Sequence, residues 1–333
     1  MDYYKGRTIT YANACIVDGY TIAGPKENHG KYMGMFDLAL DDDMFGQDTF
    51  ERAERKMFEH AIDGIVAKCN FVHNEVDAIL GGDLLNQIVS VSFAARKMHA
   101  GFLGLYNACA TFVESLIVGA GMLNNGLSNV VCVAGSHFST AERQYRYPLE
   151  LGVLRSPVTQ WTATGVGATM LTSSLQPSSA KITRATIGRV VDFGIMDVNN
   201  MGAAMAPSAC DTLCQFLRDT NSNVCDYDMI FTGDLGKLGM SILVDLMAQE
   251  GYDISDRLFD CGASLFWEEQ QTYQGGSGAA CTALVFNSLV LSKFRRREYK
   301  KILFAGTGAL MSPTTSFQGD SIPAITHLVE VTI

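Results

Sequence analysis

Short, continuous runs of apolar residues alternate along this chain with longer segments that are apolar on one side only. Residues 130–134 and 302–305 are uninterrupted apolar runs, a pattern typical of strands buried on both faces of a mostly parallel sheet. Residues 48–67 instead carry apolar side chains such as Ala53 and Met57 at helical spacing, which indicates an amphipathic helix packed on the core. The alternation predicts an α/β fold in which right-handed helical crossovers join the strands.

Two sequence features recur in the same order in each half of the chain. A short apolar run ends in Gly-Asp-Leu at residues 82–84 and again at residues 233–235. Each run is followed by an Ala-Cys pair, at Cys109 and at Cys281, which opens a predicted long helix. The glycine that ends the next strand lies 26 residues after the cysteine in the first half and 25 after it in the second. The agreement in order and spacing indicates an internal duplication.

The duplication predicts two βαβ-containing halves, residues 1–175 and residues 176–333. If the halves pack around a pseudo-twofold axis, the carboxyl ends of their strands lie near each other, on the side where open α/β sheets bind ligands. Asp83 and Asp234 lie at these strand ends. Each is therefore a candidate for facing a ligand, although an aspartate at this position more often caps a helix or a turn.

Composition and charge exclude several classes of function. The 333 residues have a formal net charge of −10 and a pI near 5.0, which leaves no basic surplus for binding nucleic acid. The nine cysteines form no C-x-x-C pair, so we expect reduced thiols in a cytoplasmic protein, with neither a disulfide framework nor a metal site. No apolar run reaches the ~18 residues of a membrane-spanning helix, and the first residues do not resemble a signal peptide.

Cys109 is the residue with the clearest potential for chemistry. It lies among small residues at the predicted start of a helix, where free N–H groups and the helix dipole favour a thiolate. The same geometry binds a small anion without any reaction. A buried structural cysteine is the third interpretation of this segment.

Longer strings of residues carry a resemblance that covers essentially the whole chain. The Asn-Ala-Cys turn at Cys109 and the glycine-rich segments 275–281 and 305–310 resemble the thiolase and ketoacyl synthase III superfamily. A closer resemblance, to the stage V sporulation protein AD family, rests on segments from both halves: residues 21–27, 140–148, 202–207, 233–235 and 307–314. The resemblance implies a thiolase-like fold, with the two duplicated halves in a five-layer αβαβα arrangement.

The condensing enzymes that this chain resembles imply a Cys-His-Asn or Cys-His-Cys catalytic set, whose histidine comes from the second half. Of the six histidines here, only His327 lies there, and its alternation with apolar residues predicts a strand position. The positions that correspond to the catalytic histidine and its partner fall on Gly233 and Gly276, and the last strand lacks the second thiolase cysteine. We therefore predict a catalytically degenerate member with a vestigial nucleophile at Cys109.

The ligand implied by the sporulation family is dipicolinic acid or its calcium complex, in which calcium enters as part of the ligand and the protein needs no cofactor. Its two carboxylates require arginine or converging N–H groups. Arg143 and Arg146 are candidates, with Arg155 as a weaker one, although this stretch also fits a solvated loop. The predicted ligand-binding residues are Cys109, Asp83, Ser136, His137, Arg143, Arg146, Gly233, Gly276 and Ser277.

The resemblance also implies partners: the integral membrane subunits of the stage V sporulation channel, and a second copy of the chain in a homodimer formed through the first half's sheet. The expected location is the cytoplasmic face of the spore inner membrane. Two alternatives stay open. The chain is an active acyltransferase that uses Cys109, or it is a scaffold that couples channel subunits and binds no ligand.

Overall fold

The chain folds around two mixed β-sheets with a layer of helices between them, in a computed structural model that describes residues 6–145, 155–174 and 179–333. The predicted boundary between residues 175 and 176 lies outside the described residues. The same holds for the candidate ligand residue Arg146.

The first half supplies one sheet and the helices on its faces. Its elements, in chain order, are β1 Thr8–Thr10, β2 Cys15–Ala23, α1 Pro25–Asn28, β3 Leu38–Ala39, α2 Phe50–Lys68, β4 Ala78–Gly82, α3 Val89–Ala95, β5 Gly101–Gly104, α4 Thr111–Asn124, β6 Asn129–Ser136, α5 Phe138–Tyr145, β7 Trp161–Thr162 and β8 Gly165–Thr172. The sheet order is β5-β4-β6-β8-β2. β4 runs parallel to β5 and β6, whereas β8 runs antiparallel to β6 and β2.

The second half repeats this plan. Its elements are β9 Lys181–Thr186, α6 Met201–Thr220, β10 Met229–Thr232, α7 Gly236–Gln249, β11 Leu258–Asp260, α8 Cys261–Leu265, β12 Gly276–Ser277, α9 Ala279–Val285, a π-helical turn Phe286–Val290, α10 Leu291–Arg295, β13 Lys301–Ala309, α11 Pro313–Gln318 and β14 Ala324–Thr332. The sheet order is β11-β10-β13-β14-β9. β10 runs parallel to β11 and β13, and β14 runs antiparallel to β13 and β9.

The two sheets match strand for strand, which confirms the predicted duplication. Strands β2 and β9, which end the two orders given above, meet at one residue pair, Cys15 and Lys181. Parallel pairing is confined to β4, β5 and β6 in one sheet and to β10, β11 and β13 in the other, so each sheet is mixed and the expectation of mostly parallel sheets needs this correction. The parallel strands place their carboxyl ends, and the turns that follow them, on the same side of the molecule.

Helices α4 and α9 form the middle layer between the sheets. α4 packs on β4 and β6 of the first sheet and on β13 and β14 of the second, and α9 packs on β6 and β8. Aromatic rings link the layers: the centroids of Phe112 and Phe286 are 5.4 Å apart, and those of Phe286 and Phe304 are 4.8 Å apart. All three rings are fully buried, and each contributes ~1.5–3 kcal/mol through burial.

The outer layers complete the five-layer αβαβα arrangement predicted from the sequence. On the first sheet, α2 packs on β2, β6 and β8. Met57 and Phe58 of α2 are fully buried, and the Thr49 hydroxyl accepts a hydrogen bond from the Arg52 N–H at its start, so the predicted amphipathic helix over residues 48–67 is confirmed. On the second sheet, α6 packs on β13 and β14 and carries α7. Within the described residues, no helix is both long enough and apolar enough to cross a bilayer.

Candidate functional site

A cavity of about 240 Å³ opens beside the start of α4, where residues from both halves meet. Most of its wall is apolar, and its polar groups are the side chains of Cys109, Glu142, Ser277 and two tyrosines among a few others. The lining residues are Leu84, Asn86, Tyr106, Ala108, Cys109, Ala141, Glu142, Tyr145, Thr162, Met201, Ser277, Gly278, Ala309, Leu310, Met311, Ser312 and Pro313.

The turn before α4 places Cys109 at the base of this cavity. Ala108 adopts the left-handed conformation with φ 51°, and α4 begins at Thr111, so the cysteine lies at the helix start as predicted. Strand β13 crosses directly behind the turn. A Cβ atom at Gly308 would lie 2.7 Å from the Asn107 carbonyl oxygen, so only glycine permits this approach.

The helix start does not make Cys109 a thiolate, which corrects the expectation from the sequence. Its side chain is buried, and burial raises the pKa of the thiol well above the ordinary value. The charge of the nearby Asp234 carboxylate raises the pKa further, and together these effects outweigh the Gly278 N–H and the Ser277 hydroxyl, which favour the thiolate. Cys109 is therefore a neutral thiol near pH 7.

Asp234 organises the polar base of the site. Its Oδ2 atom accepts hydrogen bonds from the Ser277 hydroxyl at 2.9 Å and from the Gly278 N–H at 3.0 Å, and its Oδ1 atom accepts one from the Thr307 hydroxyl at 2.8 Å. Burial raises the pKa of Asp234 to about 6. The carboxylate is thus held between β10, β12 and β13 and joins three elements of the second half.

Ser277 connects this network to the cysteine. Its Oγ atom lies 4.0 Å from the Cys109 Sγ atom while it donates to Asp234. Strand β12, which carries Ser277, pairs with β7 through Trp161 and Thr162. Among the predicted ligand residues that the structure describes, Cys109 and Ser277 line the cavity.

Aromatic and carboxylate side chains form the opposite wall. The hydroxyl groups of Tyr106 and Tyr145 are hydrogen-bonded to each other, and the Tyr145 hydroxyl donates to the Leu84 carbonyl at 2.7 Å. The Glu142 carboxylate accepts a hydrogen bond from the Thr162 hydroxyl at 3.0 Å. This wall offers a ligand two aromatic faces and one buried acidic group.

The two glycines predicted to open space at the site do not line the cavity. A Cβ atom at Gly233 would lie 2.8 Å from the Thr282 hydroxyl oxygen, and one at Gly276 would lie 3.1–3.2 Å from Leu265 and Cys281. Both positions face packed side chains. The side chains beside Cys109 belong to the next residues along the chain, Asp234 and Ser277, which the sequence also names as candidates.

Ser136 and His137 also lie outside the cavity lining. The Ser136 hydroxyl donates to the Ala163 carbonyl at 2.7 Å and accepts from the Ala280 N–H at 3.2 Å, which anchors the start of α9. The His137 ring is bonded at Nε2 to the Asp43 carbonyl and at Nδ1 to the Ser139 N–H. Burial lowers the pKa of His137, so this predicted ligand residue is a neutral histidine bonded within the fold.

Asp83 caps a turn. Its two carboxylate oxygens accept the Leu85 and Val91 N–H groups, both at 2.9 Å, and it does not line the cavity. This is the capping role that is the more frequent one for an aspartate at a strand end.

The two candidate arginines that the structure describes, Arg143 and Arg155, form their contacts outside the cavity. Arg143 forms an ion pair with Glu51 on the surface of α2. Arg155 contacts the Trp161 and Tyr273 rings and donates to the Gln160 carbonyl. Neither lines the cavity.

His327 lies in β14, as the sequence predicts, and is buried. Its Nε2 atom is 2.7 Å from the Asn107 side-chain amide nitrogen, and its Nδ1 atom accepts the Gly188 N–H at 3.1 Å. Burial lowers the pKa of His327 to about 4. The His327 ring thus contacts Asn107 in the turn that precedes Cys109.

Sequence reasoning missed the aromatic and carboxylate wall. Tyr145 and Glu142 lie within the family-like segment 140–148, whose arginines are the predicted ligand residues. Tyr106 lies three residues before Cys109. Leu310 and Met311 follow the last family-like glycine and close the far side of the cavity. Proximity to these segments was the available signal. No group of three or more His, Cys, Asp or Glu side chains in the described parts of the chain is arranged to hold a metal ion.

Comparison with known proteins identifies relatives over nearly the whole chain. The family model described as Stage V sporulation protein AD matches residues 6–332. The Stage V sporulation protein AD of Bacillus subtilis (strain 168) is 38% identical over 308 residues, which cover 92% of this chain and 90% of that protein.

Solved structures share the fold at low sequence identity. An OleA variant from Xanthomonas campestris superimposes with a TM-score of 0.62 and 15% identity, covering 98% of this chain and 99% of that one. AbyA1, a tetronic acid condensing enzyme, superimposes with a TM-score of 0.57 and 13% identity, covering 96% of this chain and all of that one. Both are thiolase-like, and the predicted thiolase-like fold is confirmed.

Proposed function

Because this chain belongs to the stage V sporulation protein AD family, we propose that it binds dipicolinic acid or calcium dipicolinate in the cavity beside Cys109. In this proposal the protein is the ligand-binding component of the spore inner-membrane channel. It acts in dipicolinate uptake during sporulation and in its release during germination. The observation that carries the proposal is a small cavity, lined mainly by apolar groups, at the start of the helix that follows Cys109.

The size and lining of the cavity suit a small planar ligand. Its volume of about 240 Å³ is below the ~300–1,000 Å³ of pockets for drug-sized molecules. The Tyr106 and Tyr145 rings and the Leu310 and Met311 side chains supply apolar surface for a pyridine ring. The N–H groups at the start of α4 supply donors for a carboxylate, and the Ser277 hydroxyl joins them if its hydrogen turns from Asp234 to the ligand.

Ligand-borne calcium fits the same wall. The Glu142 carboxylate lines the cavity and offers oxygen atoms of the kind that calcium prefers. In the calcium complex, the metal also offsets the negative charge that two free carboxylates would bring toward Glu142 and Asp234. Calcium in this proposal arrives with the ligand and is not a resident cofactor.

The proposal treats the site as catalytically degenerate because the groups around Cys109 favour the neutral thiol. A nucleophilic cysteine needs a neighbouring base or a cation that favours the thiolate. The ionisable neighbour here is the Asp234 carboxylate, whose charge opposes thiolate formation. The two imidazoles discussed above, those of His137 and His327, are bonded to other groups and have lowered pKa values.

Thermal unfolding of the purified protein with a panel of ligands tests the proposal. Dipicolinate, with and without calcium, is compared with picolinate, isophthalate and acetyl-CoA. Selective binding stabilises the folded state by ~2.7 kcal/mol when the free ligand concentration is 100 times the dissociation constant. A saturable shift with dipicolinate that isophthalate does not reproduce supports the proposal, because isophthalate lacks the ring nitrogen. No shift with either form of dipicolinate would contradict it.

The same panel separates the two alternatives. An active acyltransferase would be stabilised by acetyl-CoA and would gain the mass of an acyl group at Cys109. A ligand-free scaffold would respond to none of the compounds and would still assemble with the channel subunits. A Cys225→Ala variant is the matched control for the mass measurement, because Cys225 is exposed and remote from the cavity lining.

The proposal includes a homodimer formed through the first sheet. β5 is the last strand of that sheet, and all four of its residues are exposed, including Phe102 and Leu103 at 36% and 43%. An exposed apolar edge strand is a template for pairing with another chain. Light scattering after size-exclusion chromatography tests this: Leu103→Lys converts a dimer into a monomer. An unchanged dimer mass in the variant would place the interface elsewhere.

The further partners in this proposal are the integral membrane subunits of the channel. The protein binds them at the cytoplasmic face of the spore inner membrane. The family membership supports this placement.

A further inference from the structure

The second half carries exposed apolar side chains on two neighbouring segments, residues 190–196 and α11. Four residues, here called the apolar patch, expose more than half of their surface: Val190 at 55%, Phe193 at 65%, Met196 at 59% and Phe317 at 83%. Large apolar side chains exposed in one contiguous region mark interaction sites in soluble proteins. Phe317 is the most exposed large apolar residue in the described parts of the chain.

The two segments that carry the apolar patch are tied together. Val191 and Ala324 exchange backbone hydrogen bonds of 2.8 Å, and the Ile322 N–H donates to the Ile195 carbonyl at 2.7 Å. The Ser321 hydroxyl donates to Asp192 at 2.6 Å. The segment after β9 and the turn after α11 therefore form one surface, held in a fixed arrangement before any partner binds.

Exposed carboxylates flank the residues of the apolar patch along both segments. Asp192 lies next to Phe193, Asp197 lies next to Met196, and Asp320 lies three residues after Phe317; all three are exposed. The nearest basic side chain along the segment, Arg189, forms an ion pair at 2.7 Å with Asp211, which also pairs with Arg7. The surface is thus an apolar centre with an acidic rim.

We propose that the apolar patch is the docking surface for a cytoplasmic segment of an integral membrane partner, one that presents apolar side chains flanked by lysine and arginine. Charge complementarity argues for this occupant, because a basic rim meets Asp192, Asp197 and Asp320 favourably. Cytoplasmic loops of integral membrane proteins carry an excess of lysine and arginine. The inference rests on the proposed function for the partner's being a membrane protein.

Two other occupants fit the same surface poorly. In a symmetric contact with a second copy of this chain, each acidic rim would face the other, which is repulsive. An anionic lipid surface would likewise be repelled by the three carboxylates, since lipid-binding surfaces of this kind are basic.

Helix α11 connects the apolar patch to the ligand cavity. Phe317 lies in α11, whose first residue Pro313 lines the cavity together with Ser312. A partner seated on Phe317 therefore contacts an element that forms part of the cavity wall.

Photo-crosslinking in sporulating cells that produce all the channel subunits tests the docking surface. The full-length protein carries p-benzoylphenylalanine in place of Phe317, and a control carries it in place of Val72, which is 58% exposed and lies outside the apolar patch. The expected product is a cross-link from position 317 to a lysine- and arginine-rich cytoplasmic segment of an integral membrane protein, absent from the control. Cross-links only to a second copy of this chain, only to lipid, or to nothing would overturn the proposal.

A double variant, Phe193→Ser with Phe317→Ser, measures the same contact in membranes. We expect the fraction of protein retained on washed membranes to reflect about tenfold weaker binding or more, as for removal of buried interface aromatics. Val72→Ser is the control and retains the parent's binding. Equal retention of both variants would contradict the docking surface.

The dipicolinate-induced thermal shift of the double variant separates this inference from the proposed function. The docking proposal expects that shift to match the parent. If the parent protein shows no ligand shift but position 317 still cross-links to a membrane subunit, the proposed ligand function fails while the docking surface stands.

Discussion

The Cys109 thiol lies 4.0 Å from the Ser277 hydroxyl, across the interface between the two halves. Ser277 in turn donates to Asp234 at 2.9 Å. The position that resembles the nucleophile of the condensing enzymes is therefore coupled to a carboxylate. Since a carboxylate opposes formation of a thiolate, this relationship favours a binding site over an acyl-transfer site.

Cys109 is expected to resist alkylation. Burial and the Asp234 carboxylate hold its pKa well above the ordinary thiol value, and the thiolate is the reactive form. In native protein at pH 7.5, iodoacetamide should modify the exposed Cys225 while Cys109 stays unmodified, as read by peptide mass spectrometry. Modification of Cys109 as fast as Cys225 would mean that the thiolate is present.

Asp234→Asn should make that thiol more acidic and the protein less stable. The substitution removes the negative charge beside Cys109, which lowers the pKa of the thiol, so alkylation at pH 9 becomes faster. The amide nitrogen also replaces one of the two oxygens, each of which accepts at least one hydrogen bond, at a cost of ~1–3 kcal/mol in the free energy of unfolding. Urea unfolding and the alkylation rate measure the two effects. An unchanged rate would show that Asp234 does not control the thiol.

Cys109→Ala should leave the fold intact and weaken dipicolinate binding only modestly. The N–H groups at the start of α4 and the Ser277 hydroxyl remain in the variant, and a lost hydrogen bond is worth about 1 kcal/mol. Titration calorimetry measures the change in dissociation constant. Unchanged binding together with complete loss of dipicolinate uptake in cells would instead point to covalent chemistry at Cys109.

Gly308→Ala should disturb the turn that carries Cys109. Its Cβ atom would lie 2.7 Å from the Asn107 carbonyl oxygen, and overpacking of this kind costs ~1–3 kcal/mol. Gly121→Ala is the matched control, because nothing lies within 4 Å of its Cβ position in α4, and it should be neutral or stabilising by up to ~1 kcal/mol. The melting temperatures of the two variants test this. Equal melting temperatures would show that β13 gives way without cost.

The buried carboxyl group of Glu27 should make the protein less stable as the pH rises. The carboxyl group is fully buried, and burial raises its pKa from 4.5 to about 8. Between these two values the folded protein retains a proton that the unfolded chain has lost, so this group's contribution to stability falls as pH rises. At 1.36 kcal/mol per pKa unit, the fall is up to ~5 kcal/mol.

Glu27→Gln removes this pH dependence. The difference in free energy of unfolding between parent and variant, measured in urea, should therefore shift in favour of the variant between pH 5 and pH 8. A difference that stays constant over this range would contradict the raised pKa.

The sequence predicted the fold more completely than it predicted the site. Apolar runs, the repeated Gly-Asp-Leu motif and the paired Ala-Cys turns are local patterns, and they were sufficient for the duplicated halves and for α2 and α4. The pairing that makes each sheet mixed depends on β8 and β14, whose antiparallel direction leaves no local signal in the sequence.

The site depended on details that patterns do not carry. The sequence names Asp234 and Ser277 as candidates, and both lie beside Cys109. It also names Gly233 and Gly276, which face packed side chains because neighbouring residues at a strand end point in different directions. Burial also reversed the predicted electrostatics, since the helix start at Cys109 was expected to favour a thiolate but its thiol is buried and lies near a carboxylate.

The most direct test of the central claim is a calorimetric titration of dipicolinate, with and without calcium, into three proteins. These are the parent, Met311→Trp, which fills the cavity wall, and Met33→Trp, which places the same side chain at a site that is 68% exposed and outside the cavity. We predict saturable binding to the parent and to Met33→Trp, with binding to Met311→Trp weakened about tenfold or more by steric exclusion. Equal binding by all three proteins, or by none, would contradict a dipicolinate site beside Cys109.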